Sequence, residues 1–281
     1  MDSKRGVFYS KLGGQTKGFT IMGVINLTPD SFYSGSRCSS LGEAMTLAAR
    51  MVSEGVDILD IGAQSSRPGA KPVSEKEELS RLLPVVKELV GRFDLPLSVD
   101  TWRPNVAERT LQAGAKIVND ITGLNRHSEM ANVVANQDAG LVIMHMKGTP
   151  LTMQCNPVYV DTVGEIKDFL SAAIEKAEIA GINPESIAID PGIGFGKTLE
   201  HNLSILQHLG RFTKLGKPVL LGASRKSFIG KILDLPEKER LEGSLSTAVI
   251  GRVKGASIFR THDVLETVRA LKVADAILKS E

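Results

Sequence analysis

The chain of 281 residues alternates between short apolar runs and amphipathic helical segments about eight times. The apolar runs are rich in β-branched residues and most end in a polar residue, which is typical of strands buried on both faces of a parallel sheet. We predict strands at residues 19–25, 57–61, 95–99, 115–118, 141–144, 187–189, 218–221 and 257–259. A repeat of about 35 residues matches the strand–helix unit of a (β/α)₈ TIM barrel, an α/β fold. The sequence therefore predicts one barrel domain over residues 1–281.

Apolar residues at helical spacing predict a helix after each strand. The predicted helices are 41–54, 74–90, 104–113, 128–137, 161–180, 199–209, 237–253 and 264–279. A doubly wound open sheet is the alternative architecture. It is less well supported because no predicted strand is followed by the Gly-x-Gly-x-x-Gly fingerprint of dinucleotide-binding sheets.

Charge and composition exclude several classes of partner. The net charge is +2 and the basic residues form no run, so no nucleic-acid partner is expected. No apolar run is long enough to cross a membrane, and residues 1–18 do not resemble a secretory signal. Cys38 and Cys155 have no metal or redox spacing and suit a reducing compartment. We expect a cytoplasmic protein with no nucleic-acid and no membrane partner.

The stretch 187–198 joins an apolar strand to a carboxylate and a glycine-rich loop. The strand ends at Asp190, and Pro191 cannot continue the pairing of a sheet. Ligands bind at such strand ends in α/β proteins, but a structural connection with a capping aspartate explains this stretch alone equally well. The sequence Gly-Lys-Thr at 196–198 suggests a nucleotide-binding P-loop. That motif requires a glycine where Pro191 stands, so it is excluded.

Polar side chains stand at the carboxyl end of nearly every predicted strand, and a barrel would bring them to one mouth. They are Asn26, Asp60, Asp100, Asn119, His145, Asp190, Lys226, Arg260 and His262. Each one alone is more simply explained as a helix cap or a turn residue. A polar residue at almost every strand end is harder to explain in that way.

The strand-end residues divide into two chemical groups. Asp100, Asn119 and Asp190 offer acceptors and an amide that suit a flat heterocycle with an amidine- or guanidine-like edge. Lys226 could bind a carbonyl oxygen or a ring nitrogen of the same heterocycle.

The second group suits phosphate. It contains Asn26, Ser66, Arg67, Arg260 and His262. Arginine binds phosphate oxygens through its fork of donors, and the Asn26 oxygen could bind a hard cation such as Mg²⁺. For Arg67 or Arg260 taken alone, a salt bridge on the solvated rim is the simpler explanation.

These motifs resemble those of the dihydropteroate synthases, in the same order and over nearly the whole chain. Residues 21–32 (IMGVINLTPDSF) and 60–69 (DIGAQSSRPG) resemble the two N-terminal signatures of the family. The other matching segments are 98–101, 119–120, 144–150, 190–195, 224–230 and 260–263. The fold of the family is the (β/α)₈ barrel.

The resemblance implies that 6-hydroxymethyl-7,8-dihydropterin pyrophosphate and p-aminobenzoate combine to give 7,8-dihydropteroate and pyrophosphate. It implies that pyrophosphate departs before the amine attacks, with Mg²⁺ as cofactor, and that the protein is a homodimer. The implied pterin contacts are Asp100, Asn119, Asp190, Phe195, Gly222 and Lys226. The implied pyrophosphate and metal contacts are Asn26, Arg67, Arg260 and His262, and those around p-aminobenzoate are Ser66, Arg67, Lys226 and Ser227. Of these, Asn26, Arg67, Lys226, Arg260 and His262 are the expected catalytic residues.

The sequence departs from the family pattern at three positions. Ser34 replaces the second acid of the first loop, Gln64 replaces a glutamate, and Thr261 replaces a valine. None of these changes removes an implied pterin or pyrophosphate contact. The segment after Arg67 carries no insertion of the kind found in sulfonamide-resistant relatives, so we expect sulfonamide sensitivity.

Two other functions are compatible with a pterin-binding barrel. A methyltransferase that acts with a corrinoid partner would share the pterin pocket but would need no pyrophosphate site, which Arg260 and His262 indicate. A non-catalytic pterin-binding protein is the other alternative. The presence of Asn26, Arg67, Lys226 and His262 argues against it.

Overall fold

The computed structural model describes residues 18–27, 38, 40–65, 69–70 and 73–280. Residues 28–37, 39, 66–68 and 71–72, which include Ser34, lie outside this description. The strands are β1 Thr20–Asn26, β2 Ile58–Gly62, β3 Leu97–Asp100, β4 Ile117–Asp120, β5 Gly140–Met144, β6 Ile187–Asp190, β7 Leu220–Leu221 and β8 Ile258–Thr261. The α-helices are α1 Leu41–Glu54, α2 Glu75–Arg92, α3 Pro104–Gln112, α4 Glu129–Asn136, α5 Thr162–Ile179, α6 Leu199–Gln207, α7 Gly210–Thr213, α8 Ser227–Leu233, α9 Leu241–Val253 and α10 Val264–Lys279.

The eight strands pair in parallel in the order β6-β5-β4-β3-β2-β1-β8-β7. A parallel bridge between Ile189 and Val219 joins the two ends of this order. The sheet is thereby closed into a barrel, with the helices around it. The predicted TIM barrel is confirmed.

The barrel interior changes from apolar to polar along the strands. Its floor is a buried cluster with one residue from each of seven strands: Met22, Ile58, Ile117, Val142, Ala188, Leu220 and Ile258. Alternate residues of a strand share a face, so the positions two residues further on also point inward. Those positions hold Val24, Asp60, Asn119, Met144, Asp190, Gly222 and Arg260. The strands therefore place a polar layer directly above an apolar floor.

The opposite faces of the strands pack against the helices in one continuous core. On α10, Val268, Leu271 and Ala274 are buried against the barrel. The helix α1 begins at its cap Ser40, whose hydroxyl accepts from the Glu43 amide at 3.2 Å, and Gly55 ends it in the left-handed conformation. No helix in the part of the chain that the structure describes is long and apolar enough to cross a membrane.

The segment after β7 differs from the prediction. The helix α8 was not predicted, and α9 begins at Leu241 because residues 237–239 form a 3₁₀ turn. Asp234 ends α8 with φ of 54°, and Pro236 prevents the two helices from joining. Only seven residues long and containing Gly230, α8 has too weak a helical pattern to be found in the sequence. It fixes the residue before it, Lys226, at the mouth.

Candidate functional site

An arginine and two aspartates from three strands meet at the carboxyl end of the barrel. On β8, Arg260 donates from Nε to Asp60 Oδ2 at 2.7 Å and from a terminal nitrogen to Asp100 Oδ2 at 3.1 Å. Asp60 lies on β2 and Asp100 ends β3, so the chain separates the partners by 200 and 160 residues. The predicted convergence of β3 and β8 is thus observed.

Asp60 is the centre of this polar layer. Its side chain is fully buried and also accepts from Ser98 Oγ at 2.6 Å and Asn119 Nδ2 at 3.5 Å. One carboxylate therefore connects β2, β3, β4 and β8. The sequence marked Asp60 as a strand-end residue without assigning it a role.

Arg260 belongs to both chemical groups, which the sequence had separated. Arg260 is one of the predicted phosphate-binding residues, yet its guanidinium contacts Asp100, a residue of the heterocycle group. These contacts use two of the five N–H donors that a guanidinium carries, and the others can bind a further anion. The two halves of the site are therefore joined at Arg260.

Burial and charge raise the pKa of Asp100 to about 7. Burial is the largest cause, the neighbouring carboxylates of Asp60 and Glu78 act in the same direction, and the Arg260 guanidinium opposes them. A carboxyl group with such a pKa changes its charge near neutral pH, as groups in functional sites often do.

Asp190 lies across the mouth at the end of β6. It is 4% exposed, and its Oδ1 accepts from the Gly192 amide at 2.7 Å. Burial raises its pKa, whereas Lys226 and the Gly192 hydrogen bond lower it. A Cβ atom at Gly222 would stand 3.7 Å from Asp190 Oδ2 and 3.8 Å from Arg260 Cβ. Gly222 thus keeps open the space between the two charged side chains.

Lys226 projects over an aromatic ring at this side of the mouth. Its Nζ lies 4.6 Å from the centroid of Phe195 and donates to the Ile193 carbonyl. Burial lowers the pKa of Lys226 to about 8, opposed by Asp190 and assisted by Arg260. Ser227 follows as the first residue of α8 and is exposed.

The preceding residue, Arg225, fixes the orientation of Lys226. Arg225 adopts φ of 55°, and its guanidinium forms a two-point ion pair with Asp263 at 2.7 and 2.8 Å. Because Asp263 follows His262, this ion pair joins the loop of Lys226 to the end of β8. The sequence alone gave no role to this pair.

An apolar wall completes the mouth. Trp102, Ile121 and Met144 form a buried cluster, with Met146 and Phe195 packed against it. They come from the ends of β3, β4, β5 and β6. The sequence predicts only Phe195 of these five, because an apolar residue at a strand end or in a loop does not show by itself which neighbours it packs against. Flat apolar surface beside carboxylates and an amide suits a planar, hydrogen-bonding ring.

The remaining predicted residues have different placements. Asn26 ends β1 opposite Gly62, and its side chain shares the inward face of Met22. His262 shares the face of Arg260, and its Nδ1 lies 3.0 Å from Ser224 Oγ. Ser66 and Arg67 lie outside the described residues.

His145 is the exception among the strand-end residues. It stands three residues after the inward-facing Val142, so alternation turns it outward. Its ring packs edge-on against Phe169 of α5, with ring centroids 4.7 Å apart. The expectation that it faces the mouth is therefore wrong.

The chain is similar to known proteins over most of its length. The family model described as "Pterin binding enzyme" matches residues 22–262. The dihydropteroate synthase of Synechocystis sp. is 47% identical over 258 residues, which cover 92% of this chain and 89% of that protein. The structure of Yersinia pestis dihydropteroate synthase with a sulfonamide drug complex is 42% identical with a TM-score of 0.90, covering 93% of this chain and 94% of that one. The Xanthomonas albilineans enzyme with 4-aminobenzoic acid is 41% identical with a TM-score of 0.86 and the same coverage.

Proposed function

The chain belongs to the dihydropteroate synthases, a family of pterin-binding enzymes, and on this premise we propose how its barrel mouth carries out their reaction. The reaction joins 6-hydroxymethyl-7,8-dihydropterin pyrophosphate to p-aminobenzoate and releases pyrophosphate. The observation that supports this assignment of roles is the convergence of Asp100, Asn119, Asp190 and Arg260 above an apolar floor. The corrinoid-dependent methyltransferase is not favoured, because the similar proteins named above are dihydropteroate synthases.

The pterin ring is held between the carboxylates and the apolar wall. Its 2-amino pyrimidinone edge presents parallel N–H donors, which one buried carboxylate can accept as a pair. Asp190 is placed for that role, because the Gly192 amide fixes its Oδ1 and Gly222 leaves space in front of it. Asn119 and Asp100 contact the rest of the ring edge, and Phe195 lies against its face. Lys226 binds a carbonyl oxygen or ring nitrogen.

The diphosphate lies at the opposite side of the mouth. Arg260 reaches it with the donors that Asp60 and Asp100 do not use, and His262 adds a second donor from the same strand. Positive charge fixed at this position stabilises the negative charge that develops on the departing pyrophosphate. Ser66, Arg67, Lys226 and Ser227 surround p-aminobenzoate in this proposal.

Departure of pyrophosphate before attack fits these groups. The electron-rich dihydropterin delocalises the cation that forms at the methylene carbon, so the protein mainly has to stabilise the leaving group. The aryl amine of p-aminobenzoate is neutral near pH 7 and needs no strong general base. We assign none, although carboxylates are close.

We propose Mg²⁺ as the cofactor, with Asn26 as its protein ligand. Among the described residues, no group of three or more His, Cys, Asp or Glu side chains could hold a metal ion. One amide oxygen from Asn26 fits Mg²⁺ bound largely by substrate oxygens and water, since this ion often has only one or two protein ligands at phosphate-binding sites. The Asn26 amide oxygen stands at the end of β1 beside the strand of Arg260. When bound, the ion would neutralise charge on the diphosphate.

The function is tested by measuring pyrophosphate release from the pterin pyrophosphate. We expect release that requires both p-aminobenzoate and Mg²⁺ and that a sulfonamide inhibits in competition with p-aminobenzoate. Release that is independent of p-aminobenzoate would contradict the proposed reaction. Full activity in the presence of a strong chelator would contradict the metal proposal alone.

Pterin binding is expected to be tightest between pH about 7 and about 8, the pKa values of Asp100 and Lys226. Below this window Asp100 becomes protonated, so it loses its charge and one of its oxygens becomes a donor, and above the window Lys226 loses its charge. Titration calorimetry from pH about 5.5 to about 9.5 measures the dissociation constant across this range. In Asp100→Asn the affinity should no longer fall at acidic pH, and in Lys226→Met it should no longer fall at basic pH. A dissociation constant that does not change with pH would contradict both assignments.

We propose a homodimer formed through the helices after β7. Seven large aliphatic side chains on the helices after β7 are exposed: Ile232 and Leu233 on α8, Ile250 and Val253 on α9, and Val273, Ile277 and Leu278 on α10. Ile250 and Val253 are three residues apart and share one face of α9.

The cytoplasmic location of the protein also remains a prediction.

The double substitution Ile250→Glu and Val253→Glu is expected to halve the mass of the particle in solution. Burying two carboxylates at an apolar interface costs several kcal/mol, about enough to separate a dimer of ordinary affinity. Light scattering measures the mass. Ile179→Glu on α5, which is more exposed than either residue, serves as the control. An unchanged mass in the double variant would place the interface elsewhere or show that there is none.

A further inference from the structure

The loop at residues 190–197, here called the Asp190 loop, has nearly all its backbone carbonyl groups hydrogen-bonded. The Asp190 carbonyl accepts from the His145 amide at 3.0 Å, and the Gly192 carbonyl from the Phe195 amide at 3.1 Å. The carbonyls of Ile193, Gly194, Phe195 and Gly196 accept from Lys226, from Gln154 at 2.8 Å, from Lys197 at 2.9 Å and from Tyr159 at 2.8 Å. Such a loop has little conformational freedom.

The Asp190 loop lies directly on the segment that follows β5. Gly192 and Gly196 have φ of +71° and +65°. A Cβ atom on them would stand 1.9 Å from the His145 carbonyl oxygen and 2.3 Å from that of Lys147. Only glycine permits this approach, so the two segments form one unit.

Lys197 is at the centre of the contact between the two segments. It is 3% exposed, and its Nζ lies 2.9 Å from the Phe195 carbonyl, 2.9 Å from His145 Nδ1 and 3.4 Å from the His145 carbonyl. An ammonium group has three N–H donors, and three acceptors surround this one. Lys197 belongs to the Gly-Lys-Thr sequence at 196–198, which resembles the end of a nucleotide-binding P-loop. It points into the fold and not toward a bound phosphate.

His145 completes the pair as an acceptor. When Lys197 Nζ donates to the ring, Nδ1 presents its lone pair and the ring carries its proton at Nε2. Burial, Lys197 and Lys147 lower the pKa of His145, which keeps the ring neutral. Burial lowers the pKa of Lys197 well below its usual value, assisted by Lys226 and Lys147 and only partly opposed by Asp190.

We propose, on the basis of the function given above, that Lys197 and His145 are positioning residues for the pterin. His145 holds the Asp190 carbonyl through its amide, and Lys197 holds the Phe195 carbonyl through its side chain. Their side-chain contact therefore links the two positions that carry the pterin carboxylate and the aromatic ring. Neither residue touches the substrate. Without Lys197 the Phe195 carbonyl loses its donor. Without the His145 ring, Lys197 Nζ loses one of the three acceptors that fix its position, and the Phe195 ring and Asp190 are then less firmly placed.

The first test compares Lys197→Met with Lys147→Met. Each removes one ammonium group of the same neighbourhood, but the Lys147 side chain bonds to Glu165 and to the Val158 carbonyl, not to the Asp190 loop. We expect Lys197→Met to weaken pterin pyrophosphate binding, measured by calorimetry without p-aminobenzoate, by about tenfold or more, as for loss of a charged hydrogen bond. The KM for p-aminobenzoate should change less than about threefold, and Lys147→Met should bind as the wild type does.

The second test separates hydrogen bonding from packing and does not require Lys197→Met to fold. His145→Asn keeps an acceptor near the position of Nδ1, whereas His145→Leu removes it, and both lose the ring that packs on Phe169. We expect His145→Asn to bind the pterin within about threefold of the wild type and His145→Leu about tenfold more weakly. Equal binding by these two variants, or wild-type binding by a folded Lys197→Met, would overturn the inference. A wild-type protein that binds no pterin would instead overturn the proposed function.

Discussion

Asp190→Asn is expected to weaken pterin binding by at least about 30-fold while leaving the melting temperature unchanged or higher. Asparagine keeps the oxygen that accepts from the Gly192 amide but replaces one acceptor oxygen with a donor. The pyrimidinone edge would then face an N–H group instead of a carboxylate. Losing a buried charged partner of this kind costs about 2–5 kcal/mol, or roughly 30- to several thousandfold in affinity.

The effect on stability has the opposite sign because burial raises the pKa of Asp190. A carboxyl group whose pKa is higher in the folded state than in the unfolded state lowers stability as the pH rises above the unfolded value. Removing its charge at neutral pH therefore does not destabilise the fold. Calorimetric titration and thermal unfolding measure the two effects, with the exposed Asp168→Asn on α5 as the control. Normal pterin affinity in Asp190→Asn and Asp190→Ala would contradict the pocket assignment.

Arg260→Met is expected to cost about 3–5 kcal/mol of folding free energy as well as activity. The sequence alone predicts mainly weaker pyrophosphate binding. The structure adds that Asp60, which is fully buried, and Asp100 would both lose their cation. Urea unfolding measures the loss. The exposed ion pair of Arg50 and Glu54, 3.6 Å apart, provides the control, because Arg50→Met should cost less than about 1 kcal/mol.

The loss of folding free energy in Arg260→Met should grow as the pH rises. Arg260 lowers the pKa of Asp100, so its removal raises that pKa further above the value of about 7 in the intact protein. Protonated carboxyl groups tolerate the missing cation, whereas ionised ones do not, so the deficit should be smaller at pH about 5.5 than at pH about 8. Adding Asp60→Asn should restore part of the stability. The ion-pair network of Arg260 with Asp60 and Asp100 would be contradicted if Arg260→Met lost no more folding free energy than Arg50→Met. It would also be contradicted if adding Asp60→Asn increased the loss.

The sequence predicts the barrel and most of the mouth because both depend on local pattern. Short continuous apolar runs locate the strands, and the fold then brings Asp100, Asn119, Asp190 and Arg260 together without any knowledge of their distances. His145 was misplaced because the end of a strand does not reveal which face its last residues occupy. A shift of one residue reverses the direction of a side chain.

Other features depend on partners that are distant in the chain. The roles of Asp60 and of the Arg225–Asp263 pair follow from contacts across 200 and 38 residues, which no local pattern encodes. Lys197 shows the same limit, since the sequence shows what it cannot be, a P-loop lysine, but not that it holds the Phe195 carbonyl.

A crystal structure of the protein with the dihydropterin pyrophosphate bound tests the central claim most directly. We predict that the pyrimidinone edge lies within hydrogen-bond distance of Asp190 and Asn119, with the ring against Phe195 and the diphosphate beside Arg260 and His262. A diphosphate bound instead at residues 196–198, or a pterin ring bound outside the barrel mouth, would contradict it.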